Sequence, residues 1–325
     1  MKYSDLENIL HIIEDELDLF EKYYSRALES NVKLIQQVGK YIAKTRGKRL
    51  RPALLLLCAK YFGKVDEKVI EASTIVELLH TATLIHDDVV DKSNQRRGRA
   101  SINHKWENKI AVLIGDFLFS RSLTKLTELE DLSILRDIAR TTEDLSSGEL
   151  LQIEKSQKNG MTKAIYDEMI FYKTASLFAT SCCSGAKLMG ADQDQYRSFY
   201  NYGKYLGKAF QIKDDLFDIS GKTENTGKPV GQDVKQNILT LPIIYTIEKL
   251  GEKEGAIVKD ILKNKADLNL NELTKYVKKA GGFKFCNAKV DEYSQKAKES
   301  LRKLENNEII NVLLAIIDFN QVRNK

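Results

Sequence analysis

The sequence contains little that would interrupt a helix. Its 325 residues include only 3 prolines and 18 glycines. Because these two residues break regular elements most strongly, their scarcity favours long helices. Strand-like alternation of apolar and polar residues is also missing. The composition therefore predicts an all-α protein, and a hydrophobic content of 42% is enough for a substantial core.

Charge and cysteine patterns exclude several further classes of protein. The net charge of +5 is spread among acids, without the basic stripe of a nucleic-acid-binding protein. The 4 cysteines show neither CxxC nor zinc-site spacing, which favours free thiols in a reducing compartment. The amphipathic, acidic N-terminus is unlike a signal peptide, and no apolar run approaches the roughly 20 residues of a membrane span. We expect a soluble, cytoplasmic protein that has no nucleic-acid partner.

Apolar residues at helical spacing recur along the chain. They predict helices at Glu71–Asp91, Ala111–Leu126, Ile134–Glu154, Tyr166–Leu188, Asp194–Phe217 and Leu239–Leu250, with more helices after Leu270. Loops are predicted at 45–48, 92–99, 190–195 and 220–231, and none resembles an interdomain linker. We therefore predict one all-helical domain, residues 1–325, around a central cavity or core.

The stretch from Leu84 to Gly98 reads LIHDDVVDKSNQRRG and holds three aspartates in an otherwise apolar run. Asp87 and Asp91 are four residues apart, so they share one helix face, with Asp88 to the side. His80, seven residues before Asp87, falls on the same stripe. These side chains could therefore converge on one bound object.

The same spacing recurs in FQIKDDLFDISG, which contains Asp214, Asp215 and Asp218, with Gln211 and Gly207 on the same stripe. Carboxylates this close repel one another, and burial increases the cost. A hard divalent cation removes that cost, and Mg²⁺ prefers a few carboxylates together with phosphate oxygens. Two such clusters predict an Mg²⁺-mediated clamp on a diphosphate instead of a solvated acidic face. The glycine would allow close approach of something bulky.

Several cationic and polar side chains could complete an anion site. A single lysine or arginine is usually a surface charge, although arginine grips phosphate with two parallel hydrogen bonds. An excess of such groups beside two acid clusters suggests two anionic substrates. The candidates are Lys48, Arg49, Arg51, Arg96, Arg97, Lys173, Thr174 and Lys228.

Taken together, these motifs resemble the trans-isoprenyl, or polyprenyl, diphosphate synthases. The similarity runs in order along most of the chain, through GKRLRP, ELLHTATLIHDDVVDKSNQRRGRAS, GDFLFSRSL, GELLQI, KTASLF, FQIKDDLFDISG, TGKPVGQDV and LTLPIIY. A later segment, AGGFKFCNAKVDEYSQKA, is similar as well. The resemblance implies a prenyltransferase built from antiparallel helices around a deep central cavity, usually as a homodimer.

The resemblance also implies roles for individual residues. Those that would bind Mg²⁺ ions gripping the allylic diphosphate are Asp87, Asp88, Asp91, Asp214, Asp215 and Asp218. Those that would bind isopentenyl diphosphate are Lys48, Arg51, His80 and Arg97. Those that would contact the allylic diphosphate or the forming cation are Arg96, Lys173, Thr174, Gln211 and Lys228. The six aspartates and Lys173 would form the catalytic set.

The reaction that the resemblance implies fits this residue chemistry. Mg²⁺ and cationic side chains would stabilise the charge that grows on the departing diphosphate. The allylic cation needs a site that excludes water, and the isopentenyl double bond attacks it there. The released diphosphate is the expected proton acceptor, since no dedicated side-chain base is evident. The lengthened product is again allylic, so the cycle repeats.

Product length is predicted from the helix that precedes the first acids. Short-chain members commonly carry aromatic residues four and five positions before the first aspartate, where this chain has small ones. One isoprene unit of roughly 5 Å matches about one helical turn, which predicts a product on the order of C30 to C40, with heptaprenyl favoured. A shorter geranylgeranyl or farnesyl product, or a floor supplied by another helix, is the alternative. The gauging residues would be Ile75, Val76, Leu79, Ala82 and Thr83.

Some positions depart from the family pattern. Where many members have a GKxTLP-type run, this chain reads QNILTLP, so Asn237 and Ile238 replace a glycine and a lysine. Heptaprenyl-type synthases tolerate this change, and some of them work with a small non-catalytic partner subunit. Arg46 replaces a common glycine, and the ending DFNQVRNK leaves any role for Arg323 in doubt.

Three other readings compete with this one. His86 and Asp87 resemble the HD pair of metal-dependent phosphohydrolases, but that class has no use for a second DDxxD. A terpene cyclase would carry an Asn/Ser/Glu metal motif in place of the second cluster. A non-catalytic subunit of a prenyl synthase would be expected to lose one of the clusters. A long product could also bring the protein to a membrane surface as a peripheral protein.

Overall fold

The computed structural model describes residues 6–45, 47–157, 160–220, 231, 234, 238–263 and 269–323. In these ranges the chain is almost entirely helical, which confirms the predicted all-α class. The helices are α1 Leu6–Leu10, α2 Glu14–Ala27, α3 Lys33–Lys44, α4 Leu50–Lys60, α5 Glu67–Val90, α6 Ile102–Glu128, α7 Leu132–Gln157, α8 Lys163–Ile170, α9 Ser176–Leu188, α10 Gln193–Ser220, α11 Leu241–Lys263, α12 Leu270–Ala280, α13 Gly282–Leu301 and α14 Glu308–Val322. A short 3₁₀ helix, His11–Ile13, joins α1 to α2.

Strand structure in the described ranges is limited to one small hairpin. Its strands, β1 Gln95–Arg96 and β2 Arg99–Ala100, pair antiparallel in the segment that was expected to be a loop. The turn between them uses Arg97 and Gly98, with φ of +54° and +71°. Positive φ at both central residues is the requirement of a type I′ turn, one of the two common two-residue hairpin turns.

Side-chain caps mark where several helices begin. At the start of α5 the Asp66 carboxylate accepts the Val69 N–H at 3.0 Å, and at the start of α14 Asn307 accepts the Ile310 N–H at 3.0 Å. These oxygens satisfy backbone donors that have no partner within the helix, so aspartate and asparagine are favoured there. Helix α5, which ends in the first acid cluster, therefore has a defined start.

Two helices form the centre of the bundle. Every residue from Pro52 to Ala59 of α4 and from Ser176 to Ala186 of α9 is buried. A helix that is apolar or small on all sides lies inside the fold. Helix α10 lies directly against this centre, because a Cβ at Gly207 would be 2.6 Å from the Ala175 Cα, just before α9, and 3.1 Å from the Phe178 Cβ within α9. The close approach expected at this glycine is therefore made by helix backbone.

The predicted helix Tyr166–Leu188 has an irregular turn within it. A π-helical turn, Phe171–Ala175, separates α8 from α9. Such turns occur mostly as single-turn bulges and are frequent at functional sites. This one carries Lys173 and Thr174, two of the candidate residues.

The cysteines are all free and buried, which confirms the prediction of thiols without disulfides. Among the described helices, none combines the length and apolar character that crossing a bilayer would require.

Candidate active site

The first acid cluster lies at the C-terminal end of α5. Asp88 is 3% exposed, and its carboxylate accepts hydrogen bonds from Arg96, with Nη2 2.5 Å from Oδ1 and Nε 3.0 Å from Oδ1 and 3.3 Å from Oδ2. Arg96 reaches it from the hairpin, and Asn103 Nδ2 donates to the Asp88 carbonyl at 3.2 Å. The middle aspartate of this cluster is therefore held by protein donors.

The two outer aspartates of the first cluster, Asp87 and Asp91, both have raised pKa values. Burial raises the pKa of Asp87 to about 6, with Glu149 and Asp91 adding to the rise while Lys173 and Arg96 oppose it. Burial likewise raises the pKa of Asp91. Buried carboxylates whose ionised form is disfavoured are suited to receiving a cation.

Lys173 links this cluster to α7. Its Nζ lies 2.5 Å from Glu149 Oε2 and donates to Gln152 Oε1 at 3.2 Å. Burial lowers the pKa of Lys173, but Glu149 and Asp87 outweigh burial, and the net effect is a raised pKa. Lys173 is therefore a cation held among carboxylates. The sequence alone gives no role to Glu149 or Gln152 of the GELLQI motif, although their i, i+3 spacing places them on one helix face.

The second acid cluster lies at the end of α10, and its middle aspartate is again held by protein donors. Asp215 is 3% exposed. Its Oδ2 accepts the Tyr166 hydroxyl at 2.5 Å, and its Oδ1 accepts Gln211 Nε2 at 2.8 Å. Thr174 Oγ1 in turn donates to Gln211 Oε1 at 2.6 Å. Burial raises the pKa of Asp215 to about 7, although the hydrogen bonds from Tyr166 and Gln211 act in the opposite direction.

The π turn connects the two clusters through adjacent residues. Lys173 acts electrostatically on Asp87 and Asp91, while Thr174 enters the hydrogen-bond network of Asp215. One turn of chain therefore contacts both acid clusters.

The outer aspartates of the second cluster also have partners. Arg323 Nη2 lies 2.7 Å from Asp214 Oδ1, the Arg323 side chain is 3% exposed, and its Cζ lies 3.9 Å from the Phe210 ring centroid. Asp218 Oδ1 accepts the Gly231 N–H at 3.1 Å. Arg323, for which the sequence supported no role, therefore lies at the site.

A separate group of cationic and polar side chains lies where α4 begins. It includes His80 of α5, which is two helical turns before Asp87. Arg51 Nη1 donates to His80 Nε2 at 3.0 Å. Burial and the charge of Arg51 hold the pKa of His80 well below its usual value, so the imidazole is neutral and carries its proton on Nδ1. Burial also lowers the pKa of Arg51, to about 10. His80 thus pairs with a cation, although its spacing had suggested that it could converge with Asp87 and Asp91.

The structure separates Arg49 from its neighbours in GKRLRP. Arg49 points inward, with Nε 2.9 Å from Glu21 and Nη1 2.6 Å from Glu77, and its guanidinium lies 4.5 Å from the Tyr24 ring centroid. This buried ion-pair group holds the loop, so Arg49 is a structural residue. Lys48 Nζ lies 6.0 Å from the Phe319 ring centroid. Lys228, Arg46 and Asn237 lie outside the described residues.

The residues expected to gauge product length lie below the first cluster on α5. Thr83 is partly exposed, and its hydroxyl donates to the His80 carbonyl at 2.9 Å. The others are buried in the hydrophobic core, namely Ile75, Val76, Leu79 and Ala82.

In the described ranges, no group of three His, Cys, Asp or Glu side chains is placed to hold a metal ion unaided. An ion bound by either cluster would need further ligands from substrate or water, which is the usual coordination of Mg²⁺ at phosphate sites. His86, the histidine of the HD pair, faces α6, where its Nε2 lies 3.1 Å from the Val112 carbonyl oxygen and 3.4 Å from Asp116. That orientation argues against the phosphohydrolase alternative.

The two aspartate clusters, at the ends of α5 and α10, share the turn that carries Lys173 and Thr174. The chain belongs to the polyprenyl synthetase family, because the sequence profile described as Polyprenyl synthetase matches residues 32–279. It is therefore a prenyltransferase, and the family resemblance seen in the sequence is confirmed.

Individual relatives, which match between three quarters and all of this chain, agree with this assignment. The octaprenyl diphosphate synthase of Haemophilus influenzae is 32% identical over 328 residues, covering 100% of both chains. The heptaprenyl diphosphate synthase component 2 of Geobacillus stearothermophilus is 37% identical over 75% of this chain and 74% of its own. The polyprenyl synthase of Caulobacter crescentus, solved with calcium and isoprenyl diphosphate, superposes with a TM-score of 0.94 at 29% identity, covering 100% of both chains.

Proposed function

We propose that this protein is an Mg²⁺-dependent trans-polyprenyl diphosphate synthase that adds isopentenyl diphosphate head-to-tail to an allylic diphosphate. The single observation that carries the proposal is the π turn, which places Lys173 among the acids of the first cluster and Thr174 in the network of the second. A diphosphate held between two acid clusters needs such a bridge of donors and cations. Calcium and isoprenyl diphosphate in the Caulobacter neighbour support a divalent ion and this substrate class.

The hydrogen bonds within the clusters suggest a division of labour among the six predicted metal ligands. Asp88 and Asp215 are both 3% exposed and already accept donors from the protein. We assign them to positioning the ends of α5 and α10. The residues that would hold the ions are then Asp87, Asp91, Asp214 and Asp218. When bound, Mg²⁺ would neutralise charge on the leaving diphosphate.

The cations divide between two anionic substrates. Lys173 and Arg96 lie with the first acid cluster, where they would bind the allylic diphosphate together with Thr174, Gln211 and Lys228. The isopentenyl diphosphate would bind the group at the start of α4, formed by Lys48, Arg51, His80 and Arg97. His80 is neutral, so it contributes a hydrogen bond without adding charge, and it holds the Arg51 guanidinium in place.

For product length we favour heptaprenyl within a range of about C30 to C40, one helical turn corresponding to about one isoprene unit. The small Ala82 and Thr83 support a long product. The names of the relatives also support it, since they include heptaprenyl and octaprenyl synthases at 37% and 32% identity. Ile75, Val76 and Leu79 would set the depth to which the chain can grow. Geranylgeranyl synthases among the structural neighbours keep a shorter product as the second candidate.

We propose a homodimer, with a small non-catalytic subunit as the alternative partner. Five large apolar side chains of α6 and α7 are 40–77% exposed, which suits a protein interface: Val112, Leu113, Leu123, Leu132 and Leu150. The relative named component 2 points to a multi-component enzyme in that protein. A single domain of residues 1–325, a cytoplasmic location and membrane association through the product remain predictions.

The direct test is to incubate the purified protein with Mg²⁺, farnesyl diphosphate and labelled isopentenyl diphosphate, and to size the dephosphorylated products. A ladder ending near C35 would support both the reaction and the product length. A ladder that ends at a shorter product would support the proposed reaction and reject the proposed product length. No incorporation with farnesyl or geranylgeranyl primers, even after addition of a cell extract as a source of partner subunit, would reject the proposed function.

A further inference from the structure

The hairpin after the first acid cluster sends its two arginines in opposite directions. Arg96 returns to Asp88, whereas Arg97 crosses to the loop between α3 and α4, where its Nη1 donates to the Thr45 carbonyl at 2.9 Å. The hairpin base is held by Tyr41, whose hydroxyl donates to the Ala100 carbonyl at 2.8 Å. The direction of the Arg97 side chain therefore depends on its contacts with the loop between α3 and α4.

That loop offers a glycine directly beneath the guanidinium. A Cβ built on Gly47 would lie 2.3 Å from Nη2, 2.4 Å from Cζ and 2.6 Å from Nη1 of Arg97. These separations are far inside van der Waals contact, so any side chain at position 47 would displace the guanidinium. The backbone of Gly47 is not in the left-handed region, so alanine could adopt its conformation. The requirement for glycine here is one of space.

The position that results keeps the charge of Arg97 available. In the ranges that the structure describes, Arg97 forms no ion pair, and its hydrogen bond goes to a neutral carbonyl. The nearby Glu77 is engaged by Arg49 at 2.6 Å. Arg97 therefore joins Arg51 as a guanidinium whose charge no directly bonded carboxylate cancels, which is the arrangement that a diphosphate needs.

We propose that Gly47 is a positioning residue for the isopentenyl diphosphate site, because the space left by its missing side chain is occupied by the Arg97 guanidinium and fixes the direction of that side chain. This inference rests on the proposed function. Two contacts fix this arrangement. The inward ion pairs of Arg49 hold the loop two residues after Gly47, and the Thr45 carbonyl, two residues before it, accepts the hydrogen bond from Arg97. A substitution at Gly47 acts on the far end of one flexible side chain, so the fold should tolerate it.

The test is a double-mutant cycle on the steady-state constants. Gly47→Ala should raise KM for isopentenyl diphosphate on the order of tenfold, the usual worth of a well-placed charge-assisted contact, while KM for the allylic primer and the thermal midpoint stay unchanged. In an Arg97→Ala background the same substitution should have no further effect. Multiplied effects, an unchanged KM, or a large loss of thermal stability would each overturn the proposal.

A control and a structural readout complete the test. Gly39→Ala places its Cβ 2.6 Å from the rigid Leu28 carbonyl oxygen, so it should lower the thermal midpoint without a selective effect on isopentenyl diphosphate. Side-chain NMR of ¹⁵N-arginine in the ligand-free protein should show the Arg97 resonance, assigned by its loss in Arg97→Ala, shifted in Gly47→Ala. An unshifted resonance would contradict the positioning of Arg97 by Gly47, whether or not the wild-type protein incorporates isopentenyl diphosphate. A failure of the wild-type protein to incorporate isopentenyl diphosphate would count against the proposed function alone.

Discussion

The two aspartate clusters have identical spacing and different surroundings. In the first, the middle aspartate is bonded to a cation, Arg96. In the second, the middle aspartate is bonded to two neutral groups, Tyr166 and Gln211, and burial raises its pKa to about 7. The outer aspartates differ in the reverse sense, because Asp214 is paired with Arg323 whereas burial raises the pKa of Asp87 to about 6.

This difference shows that a repeated motif does not imply a repeated electrostatic site. Both middle carboxylates hold the end of a helix in place, but only that of Asp88 has its charge matched by a bonded cation. In the metal-free protein the unfavourable buried charge of the second cluster therefore lies on its middle aspartate, whereas that of the first cluster lies on its outer aspartates, and a bound cation would relieve either. We expect the two clusters to be equally necessary for turnover and unequal in their effects on stability.

The largest expected effect is the loss of turnover when an outer aspartate is removed from either cluster. Asp87→Ala and Asp214→Ala should each reduce kcat/KM by on the order of 10³-fold, because each removes a group that would stabilise charge in the transition state. Labelled isopentenyl incorporation measures the loss, and far-UV circular dichroism checks the fold. Asp260→Ala, at an exposed position on α11, is the matched control. Wild-type activity in either cluster variant would reject the assignment of that cluster.

A smaller effect is expected on stability when the middle aspartate of the first cluster is made neutral. Asp88→Asn should destabilise the metal-free protein by about 2 kcal/mol at pH 8, because Arg96 loses a charged partner in a buried setting. Urea unfolding provides the measurement. Equal stability of variant and wild type would mean that the Asp88–Arg96 pair contributes nothing to the fold.

The corresponding change in the second cluster should have the opposite sign. A carboxyl whose pKa rises from 3.8 to about 7 on folding loses stability as the pH rises through that window, and the loss is complete above about pH 7. This penalty is at most about 4 kcal/mol, and replacing one acceptor oxygen offsets about 1–3 kcal/mol. Asp215→Asn should therefore stabilise the metal-free protein by up to about 1–3 kcal/mol at pH 8.

The pH profile is the internal control for this prediction. The advantage of Asp215→Asn should shrink steadily as the pH falls from about 7, and it should be gone below about pH 3, where the wild-type carboxyl is protonated in both folded and unfolded states. A variant that is less stable than wild type at pH 8 would show that Asp215 is ionised at little cost in the folded protein. The proposed electrostatic difference between the two clusters would then be wrong.

The smallest effect on rate, and the most specific, is expected below the first cluster. Ala82 lies on α5 and is buried, and Ala82→Phe should shorten the product by several isoprene units because growth would meet the ring within about two helical turns of Asp87. Ala82→Val should give an intermediate length. Chromatography of the dephosphorylated products measures both. An unchanged length would place the floor on another helix.

Features predicted correctly from the sequence depend on neighbours a few residues apart. The scarcity of proline and glycine predicted the helices, and the i, i+4 spacing of Asp87 and Asp91 predicted a shared face. The hairpin and the π turn were missed, because both depend on how a short segment packs against distant helices. Nothing in KTASLF indicates that Lys173 and Thr174 lie on an irregular turn.

The residues that sequence reasoning missed or misplaced are those whose partners are distant in the chain. Tyr166 bonds a carboxylate 49 residues later. Arg323 pairs with Asp214 across α10 and the end of α14. Arg49 and Arg51 look equivalent in GKRLRP, yet Arg49 has turned into the ion pairs with Glu21 and Glu77.

The sequence by itself determined the helical class, the two acid clusters and the family, because helix propensity, residue spacing and ordered motifs are local properties that need no partner. Tertiary structure alone decided which aspartate of each cluster is held by which donor, which arginine is turned into the buried ion pairs, and what lies against Gly47. Those outcomes depend on contacts between helices far apart in the chain, where burial and the nearest charge set the state of each group.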